Sequence, residues 1–179
     1  MTPATTALDH DEALVAELHD LGVDHLARLS AVKPARPIAP ADLIAGLAAS
    51  NDARLQAALI LLFLRQPSFN QYLPEALHQL SREAAISLKL YYQAAVYLQD
   101  ELQSELKASL ADWQRLPDLF SAELGLPPSG NVSTNAGLHV LGKRHEELTG
   151  WAYNWRDSYR QNISRFLKHL RRAHGYYRP

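Results

Sequence analysis

The last segment of this chain, residues 151–179, concentrates side chains that can bind phosphate. It carries seven basic residues against one acid, Asp157. Successive residues of a helix lie about 100° apart, which places Arg165, Lys168 and Arg172 on one face. The opposite face is apolar and is predicted to pack on the rest of the protein. The residues predicted to bind nucleic acid or a partner are Arg160, Arg165, Lys168, Arg171, Arg172, Trp151, Trp155 and Tyr176.

This basic face has two interpretations. Neighbouring cations on a helix can contact phosphates, and aromatic rings beside them can stack on bases, so RNA or DNA is one kind of partner and an acidic protein is another. The alternative is a solvated face that keeps the protein in solution or offsets the helix dipole. The first thirty residues carry six acids against Arg28 alone, and whether they shield the basic helix stays open.

Three large aromatic residues, Trp151, Tyr153 and Trp155, alternate just before this helix. Aromatic residues at the start of a helix commonly fasten it to the body of a protein. When they are exposed, tryptophan and tyrosine instead form hot spots for protein partners. The degree of burial distinguishes these two interpretations.

The histidines of the acidic N-terminal segment do not predict a metal site. His10, His19 and His25 are separated by nine and six positions, whereas two imidazoles on one helix need a spacing of three or four to reach the same ion. We therefore expect solvent-facing histidines, no metal and no cofactor.

Neither the tyrosines near the middle of the chain nor the glycine-rich loop predicts catalysis. Tyr91 and Tyr97 are expected beside a leucine face and Tyr92 away from it, with hydroxyl groups reaching the surface. Together with Lys89 these tyrosines do not form a partnered nucleophile and base. The loop at residues 126–137 lacks the lysine and the preceding strand of a phosphate-binding loop. It is interpreted as a connection.

Length and composition predict one domain, and they permit a reducing compartment. A chain of 179 residues is long enough to bury a core. It has no cysteine, which excludes disulfides and thiolate chemistry and favours the cytoplasm. The N-terminus lacks a secretory pattern, and the most apolar run, residues 57–64, is far shorter than the roughly 20 residues that span a membrane.

Helical periodicity and capping residues predict an all-α fold, a multi-helix bundle of about seven or eight helices around one long central helix. That helix is expected to run from a cap at Ser81 to Trp113, and a short helix is expected over residues 117–124. The predicted divisions are acidic N-terminal helices at 1–32 with a break at Gly22, a proline-rich linker at 33–40, a helical core at 41–125, a loop at 126–137, and at 138–179 a C-terminal pair of helices of which the last is basic.

Two segments carry a resemblance to known proteins. LKLYYQAAVYLQ at residues 88–99 and TGWAYNWRDSYRQNISRFL at residues 149–167 resemble segments of poorly characterised all-helical bacterial proteins that accompany minimal nucleotidyltransferases in toxin-antitoxin-like modules. The resemblance implies that this protein is a helical partner of a nucleotidyltransferase and has no catalytic activity of its own.

Related helical ribonucleases of such modules, the HEPN class, carry an arginine, four to six residues and then a histidine, often with a tyrosine two positions later. His174 and Tyr176 match the end of that pattern. The positions allowed for the arginine are occupied by His169, Lys168 and Leu167, so the arginine is missing. A cation beside a histidine could still polarise a phosphate and transfer a proton. The implied alternative is a metal-independent ribonuclease.

The sequence therefore favours a non-enzymatic interaction or regulatory protein that binds a protein, RNA or DNA through its basic final helix and the aromatic residues before it. The ribonuclease is the second hypothesis. A structural homo-oligomer, joined through an apolar face of the long helix, is the third.

Overall fold

Eight α-helices and one short 3₁₀ helix make up the described part of the chain in the computed structural model, and these residues contain no β-strand. The structure describes residues 3–23 and 37–175, without the side chains of residues 3–9, 162, 165 and 169–175. The prediction of an all-α multi-helix bundle is confirmed. The helices are α1 Pro3–Asp20, α2 Pro40–Ala49, α3 Ala53–Arg65, the 3₁₀ helix Pro67–Tyr72, α4 Leu73–His78, α5 Arg82–Ser109, α6 Ser121–Leu124, α7 Thr134–Thr149 and α8 Trp155–Gly175.

Helix α5 runs through the centre of the fold. It begins after Ser81, whose hydroxyl accepts a hydrogen bond from the backbone N–H of Ala84 at 3.2 Å. Every residue from 90 to 99 is buried, because α3, α7 and α8 pack around this stretch. Tyr92, which is expected away from the leucine face, is also fully buried, because the helix is enclosed on all sides at this level.

The long helix ends at Ser109, four residues before the predicted end at Trp113. Leu110 has extended backbone angles, φ −130° and ψ 104°. The chain then turns so that the indole N–H of Trp113 donates to the carbonyl of Leu64 at 3.1 Å. A buried hydrogen bond to α3 thus replaces a further helical turn.

The helix expected over residues 117–124 is present only as the single turn α6, because the preceding backbone is bonded to side chains of α5. The amide of Gln99 donates to the carbonyl of Leu116 at 3.0 Å and accepts from the N–H of the same residue at 2.7 Å. The hydroxyl of Tyr92 donates to the carbonyl of Pro117 at 2.9 Å. Peptide groups held in this way are unavailable for helical hydrogen bonds.

The N-terminal helix ends where glycine predicted a break. Gly22 has φ of 80°, in the left-handed region, and the N–H of Val23 donates to the carbonyl of Leu18 at 2.8 Å. The predicted helical residues 24–32 lie outside the described residues. Of the predicted linker, residues 37–39 are non-helical as expected, and Pro40 occupies the first turn of α2.

The last two helices meet at a sharp junction. α7 begins at Thr134, within the segment predicted as loop, because Ser133 caps it, and it ends at Gly150 with φ of 74°. Asn154 and Asp157 form the predicted reciprocal cap of α8, with the N–H of Asp157 donating to Asn154 at 3.3 Å and the Asn154 amide donating back at 2.6 Å. Five residues, 150–154, connect the two helices.

Among the residues that the structure describes, none of the helices combines the length and the apolar character needed to cross a membrane.

Candidate functional site: an aromatic ridge between α7 and α8

The connection between α7 and α8 exposes two large aromatic side chains. Trp151 is 74% exposed and Tyr153 is 63% exposed, whereas Leu119, another exposed large apolar residue of the described chain, is 48% exposed. Trp155 is half-buried at the start of α8. The two sequence interpretations therefore apply to different residues: Trp155 fastens the helix, and Trp151 and Tyr153 face solvent. We refer to Trp151, Tyr153 and Trp155 as the aromatic ridge.

The ridge is fixed by contacts of the Trp155 ring. This ring stacks on the imidazole of His145, with centroids 3.6 Å apart and planes 7° from parallel. Its indole N–H donates to the backbone carbonyl of Trp151 at 3.1 Å. Tyr153 packs edge-on against the same ring at 5.3 Å. The backbone of the connection is thus held from beneath while the outer rings stay exposed.

His145 is the buried support of the ridge. It is 2% exposed, its Nδ1 lies 2.7 Å from the hydroxyl of Tyr159, and Tyr91 meets its ring edge-on at 5.5 Å. Burial lowers the pKa of His145 to about 4, so the ring is neutral at pH 7. Burial also raises the pKa of Tyr91 to about 12, and it raises the pKa of Tyr159 well above its usual range. A neutral network of this kind supports packing.

Two open grooves flank Trp151 and share Ala53, Trp151 and Trp155 as lining residues. We call them the Arg54 groove and the Glu83 groove. The Arg54 groove, of about 480 Å³, is also lined by Arg54, Ala57, Tyr91, Tyr153 and Gln161. The Glu83 groove, of about 510 Å³, is also lined by Asn51, Glu83, Ile86, His145 and Leu148.

Each groove carries one charged side chain among its described lining residues, and the two charges are opposite. Arg54 forms an ion pair with Asp52 at 2.8 Å, and this contact lowers the pKa of the Asp52 carboxyl. On the other side, a backbone N–H and the Ser81 hydroxyl lower the pKa of Glu83, which is therefore ionised at pH 7. The surface around Trp151 is thus apolar in the middle, positive on one side and negative on the other.

The basic helix presents fewer available charges than its sequence indicates. The guanidinium of Arg160 donates to both carboxylate oxygens of Glu101, at 3.0 and 2.9 Å, and to Asn135 at 2.6 Å. These contacts raise the pKa of Arg160, lower that of Glu101, and tie α8 to α5 and α7. Arg160 is engaged within the fold, and its role as a partner contact stays a prediction.

The remaining predicted phosphate-binding residues are described only in part. Lys168 is exposed on α8. The side chains of Arg165, Arg171 and Arg172 lie outside the described part of the chain, as does the whole of Tyr176. The same holds for the side chains of His169 and His174, on which the ribonuclease hypothesis depends. Both hypotheses about this segment stay predictions.

The tyrosines of α5 have structural roles. The hydroxyl of Tyr97 donates to the carbonyl of Pro127, as that of Tyr92 does to the carbonyl of Pro117. These two hydroxyls therefore bind backbone groups of the following segment, and the expectation that they reach the surface is wrong. Lys89 forms an ion pair with Glu123. The group interpreted as aromatic packing is therefore also a set of polar contacts that hold the loop.

Among the described residues, no cluster of three or more histidine, aspartate or glutamate side chains is placed to hold a metal ion. His10 is exposed, and the imidazole of His19 lies 3.8 Å from Asp20. His25 lies outside the described residues.

His145 is the residue of this site that sequence reasoning missed. Its signal was present in the spacing of α7, where Leu138, Leu141, His145 and Leu148 follow the helical period of a buried face. A histidine that continues such a face is predicted to be buried, and a buried imidazole needs a polar partner, which Tyr159 provides.

Comparison of the chain with protein-family models, with curated proteins and with solved structures gives no match in any of the three.

Proposed function

We propose that this protein is a non-enzymatic helical interaction protein that binds another protein through the aromatic ridge. The observation that carries the proposal is the exposure of Trp151 and Tyr153 on a connection whose backbone is held by Trp155. Tryptophan, tyrosine and arginine dominate the energetics of protein interfaces. A ridge that is already ordered loses little conformational entropy when it binds.

The charges near the ridge favour a protein over a nucleic acid as the partner. Binding to RNA or DNA depends on cations that neutralise several phosphates. Of the described cations, Arg54 is paired with Asp52, Arg156 with Asp157 and Arg160 with Glu101. An apolar ridge whose neighbouring arginines are already paired suits a protein surface better than a phosphate backbone.

The resemblance of residues 88–99 and 149–167 supports a particular partner class, a minimal nucleotidyltransferase, within a two-component module of the toxin-antitoxin kind. The second resembling segment contains the whole ridge. In this proposal both proteins act in the cytoplasm, where a chain without cysteine needs no oxidising compartment.

The test is quantitative affinity purification of the full-length protein from its native cells, comparing the wild type with Trp151→Ala/Tyr153→Ala. The matched control is Leu119→Ala, which truncates an exposed apolar residue outside the ridge. We expect a protein that copurifies with the wild type and the control, and whose affinity falls about 30-fold or more in the double variant. Equal recovery with all three proteins would contradict the proposal.

A second experiment measures the contribution of the basic helix. RNA, DNA and the copurified protein are titrated at several salt concentrations against the wild type and against a variant with Arg165, Lys168 and Arg172 changed to alanine. If nucleic acid binds with a steep salt dependence that this variant loses, while the ridge variant binds normally, the function resides in the basic helix and the ridge proposal is wrong.

A further inference from the structure

The two grooves beside Trp151 point to one kind of ligand. We propose that a proline-rich segment of the partner protein lies across Trp151 in the polyproline II conformation, with one turn in each groove. This inference rests on the proposed protein-binding function and specifies which part of the partner is recognised.

The shape and lining of the surface support this ligand. Both grooves are open, and they share Ala53, Trp151 and Trp155 as lining residues. The rest of the Arg54 groove is mostly rings and small apolar side chains, among them Tyr91, Tyr153 and Ala57. The rest of the Glu83 groove combines the apolar side chains of Ile86 and Leu148 with polar ones. Aromatic-lined grooves divided by an exposed ring are the surfaces that recognise polyproline II segments, because proline rings fit between the aromatic side chains. With three residues per turn, prolines at every third position enter neighbouring grooves along one face of the ligand.

Other modes of peptide recognition fit this surface less well. Addition of a strand needs a free sheet edge, and the described residues contain no strand. Docking of an amphipathic helix needs a continuous apolar channel, which the exposed ring of Trp151 interrupts. A cage for a methylated ammonium group would be ring-lined but would not carry a guanidinium, and Arg54 lines this groove.

The rim also offers the hydrogen-bond donors that such a ligand requires. A polyproline II backbone has no internal hydrogen bonds, so its carbonyl groups accept from the binding surface. In the described structure, the indole N–H of Trp151 and the side-chain amides of Gln161 and Asn51 make no hydrogen bond, and all three residues are exposed. The indole of Trp155 is already used by the carbonyl of Trp151.

The opposite charges of the grooves define the flanks of the ligand. Arg54 favours an acidic residue at one end of the proline-rich segment, and Glu83 favours a basic residue at the other end. Arg54 is partly neutralised by Asp52, so the Glu83 side contributes more to selectivity.

The experiment uses synthetic ten-residue peptides and the full-length protein. Two peptides carry prolines at every third position between an acidic and a basic end, one in each order, and their controls have alanine in place of every proline. Calorimetry measures affinity, and indole NMR signals locate the binding. We expect one proline peptide to bind with a Kd below about 1 mM, and at least tenfold more weakly to Trp151→Ala. Leu119→Ala should bind like the wild type.

Charge variants sharpen the assignment. Glu83→Gln retains a side chain that can cap α5 but loses the charge. We expect this variant to bind the favoured peptide about threefold more weakly than the wild type, and we expect high salt to abolish the difference. Reversing the order of the charged ends in the peptide should also weaken its binding to the wild type.

Two results would overturn this inference: equal binding of the alanine peptides, or no saturable binding of either proline peptide at millimolar concentration. If the affinity purification still finds a partner that depends on the ridge, the protein-binding function stands and only the ligand class is wrong. If neither experiment shows dependence on the ridge, both are wrong.

Discussion

Trp113 and Trp151 show how the same residue type serves two ends in this molecule. Trp113 is 8% exposed, and its indole N–H donates a hydrogen bond to the carbonyl of Leu64. Trp151 is 74% exposed, and the indole of Trp155 donates a hydrogen bond to its backbone carbonyl and leaves its ring exposed. The side chain of Trp151 is therefore available for binding, whereas that of Trp113 is used within the fold.

The surroundings of the two residues differ in the same way. The segment after α5 is closed: Gln99 and Tyr92 bind its peptide groups, and Asp118 accepts from the N–H groups of Ser121 and Ser129 at 3.2 and 2.7 Å. Although burial opposes ionisation of Asp118, these hydrogen bonds lower its pKa. Around Trp151 the contacts among the described residues hold the base of the ridge and leave the rings of Trp151 and Tyr153 exposed. Comparing the two regions separates stability from binding.

The largest effect on stability is expected when Trp113 is changed to alanine. The change removes a buried ring and leaves the carbonyl of Leu64 without its donor, so unfolding free energy should fall by about 3–5 kcal/mol. Trp151→Ala should change it by less than about 0.5 kcal/mol. Urea unfolding followed by circular dichroism measures both, and similar losses in the two variants would remove the distinction between the regions.

Acid should weaken the support of the ridge. The pKa of His145 is about 4 when folded, below its usual value of 6.5, so the unfolded chain binds the extra proton first as pH falls. The contribution of the neutral imidazole is present above pH 6.5 and is lost as pH falls towards 4, by about 3 kcal/mol in total.

The matched comparison for this effect is His145→Gln, which keeps a polar partner for Tyr159 but does not titrate. Unfolding free energies of both proteins are measured from pH 7 to pH 4. The difference between wild type and variant should shrink over this window. A constant difference would mean that His145 is not held neutral by burial.

Two glycines of α7 test how closely its two faces are packed. A Cβ at Gly137 would lie 2.8 Å from the ring of Tyr97, so Gly137→Ala should cost about 1–3 kcal/mol. A Cβ at Gly142 would lie 3.4 Å from Trp155, and Gly142→Ala should be neutral or stabilise the helix by up to about 1 kcal/mol. Thermal unfolding compares the stabilities of the two variants. If Gly142→Ala proved the more destabilising change, the packing against Tyr97 would be looser than that against Trp155.

The smallest expected effect is that of the ion pair between α8 and α5. Both partners are partly exposed, so Glu101→Gln should lower unfolding free energy by about 0.5–1 kcal/mol. The loss should fade at high salt if the pair acts through charge. A salt-independent loss would indicate that packing, and not charge, is responsible.

Local signals in the sequence were enough for most of the fold. Asp52, Ser81 and the pair Asn154 and Asp157 act as helix caps as predicted, and Gly22 and Gly150 end helices with positive φ. Each of these signals acts over a few residues, which is why a single sequence reveals it.

Contacts between distant residues were not predictable in this way. The Gln99 clamp joins residues 17 positions apart, and the Arg160–Glu101 pair joins residues 59 positions apart. Nothing in helical periodicity indicates which polar side chain will meet which backbone group or carboxylate. For the same reason the exposure of the ridge could be stated only as one of two alternatives, and the support from His145 was missed.

Whether the ridge serves binding and not stability is tested most directly by measuring both on the same variant, Trp151→Ala/Tyr153→Ala. We expect an unfolding free energy within about 0.5 kcal/mol of the wild type for each substitution, together with an affinity for the copurifying protein that is reduced about 30-fold or more. A variant that unfolds much more readily, or one that binds its partner as tightly as the wild type, would contradict it.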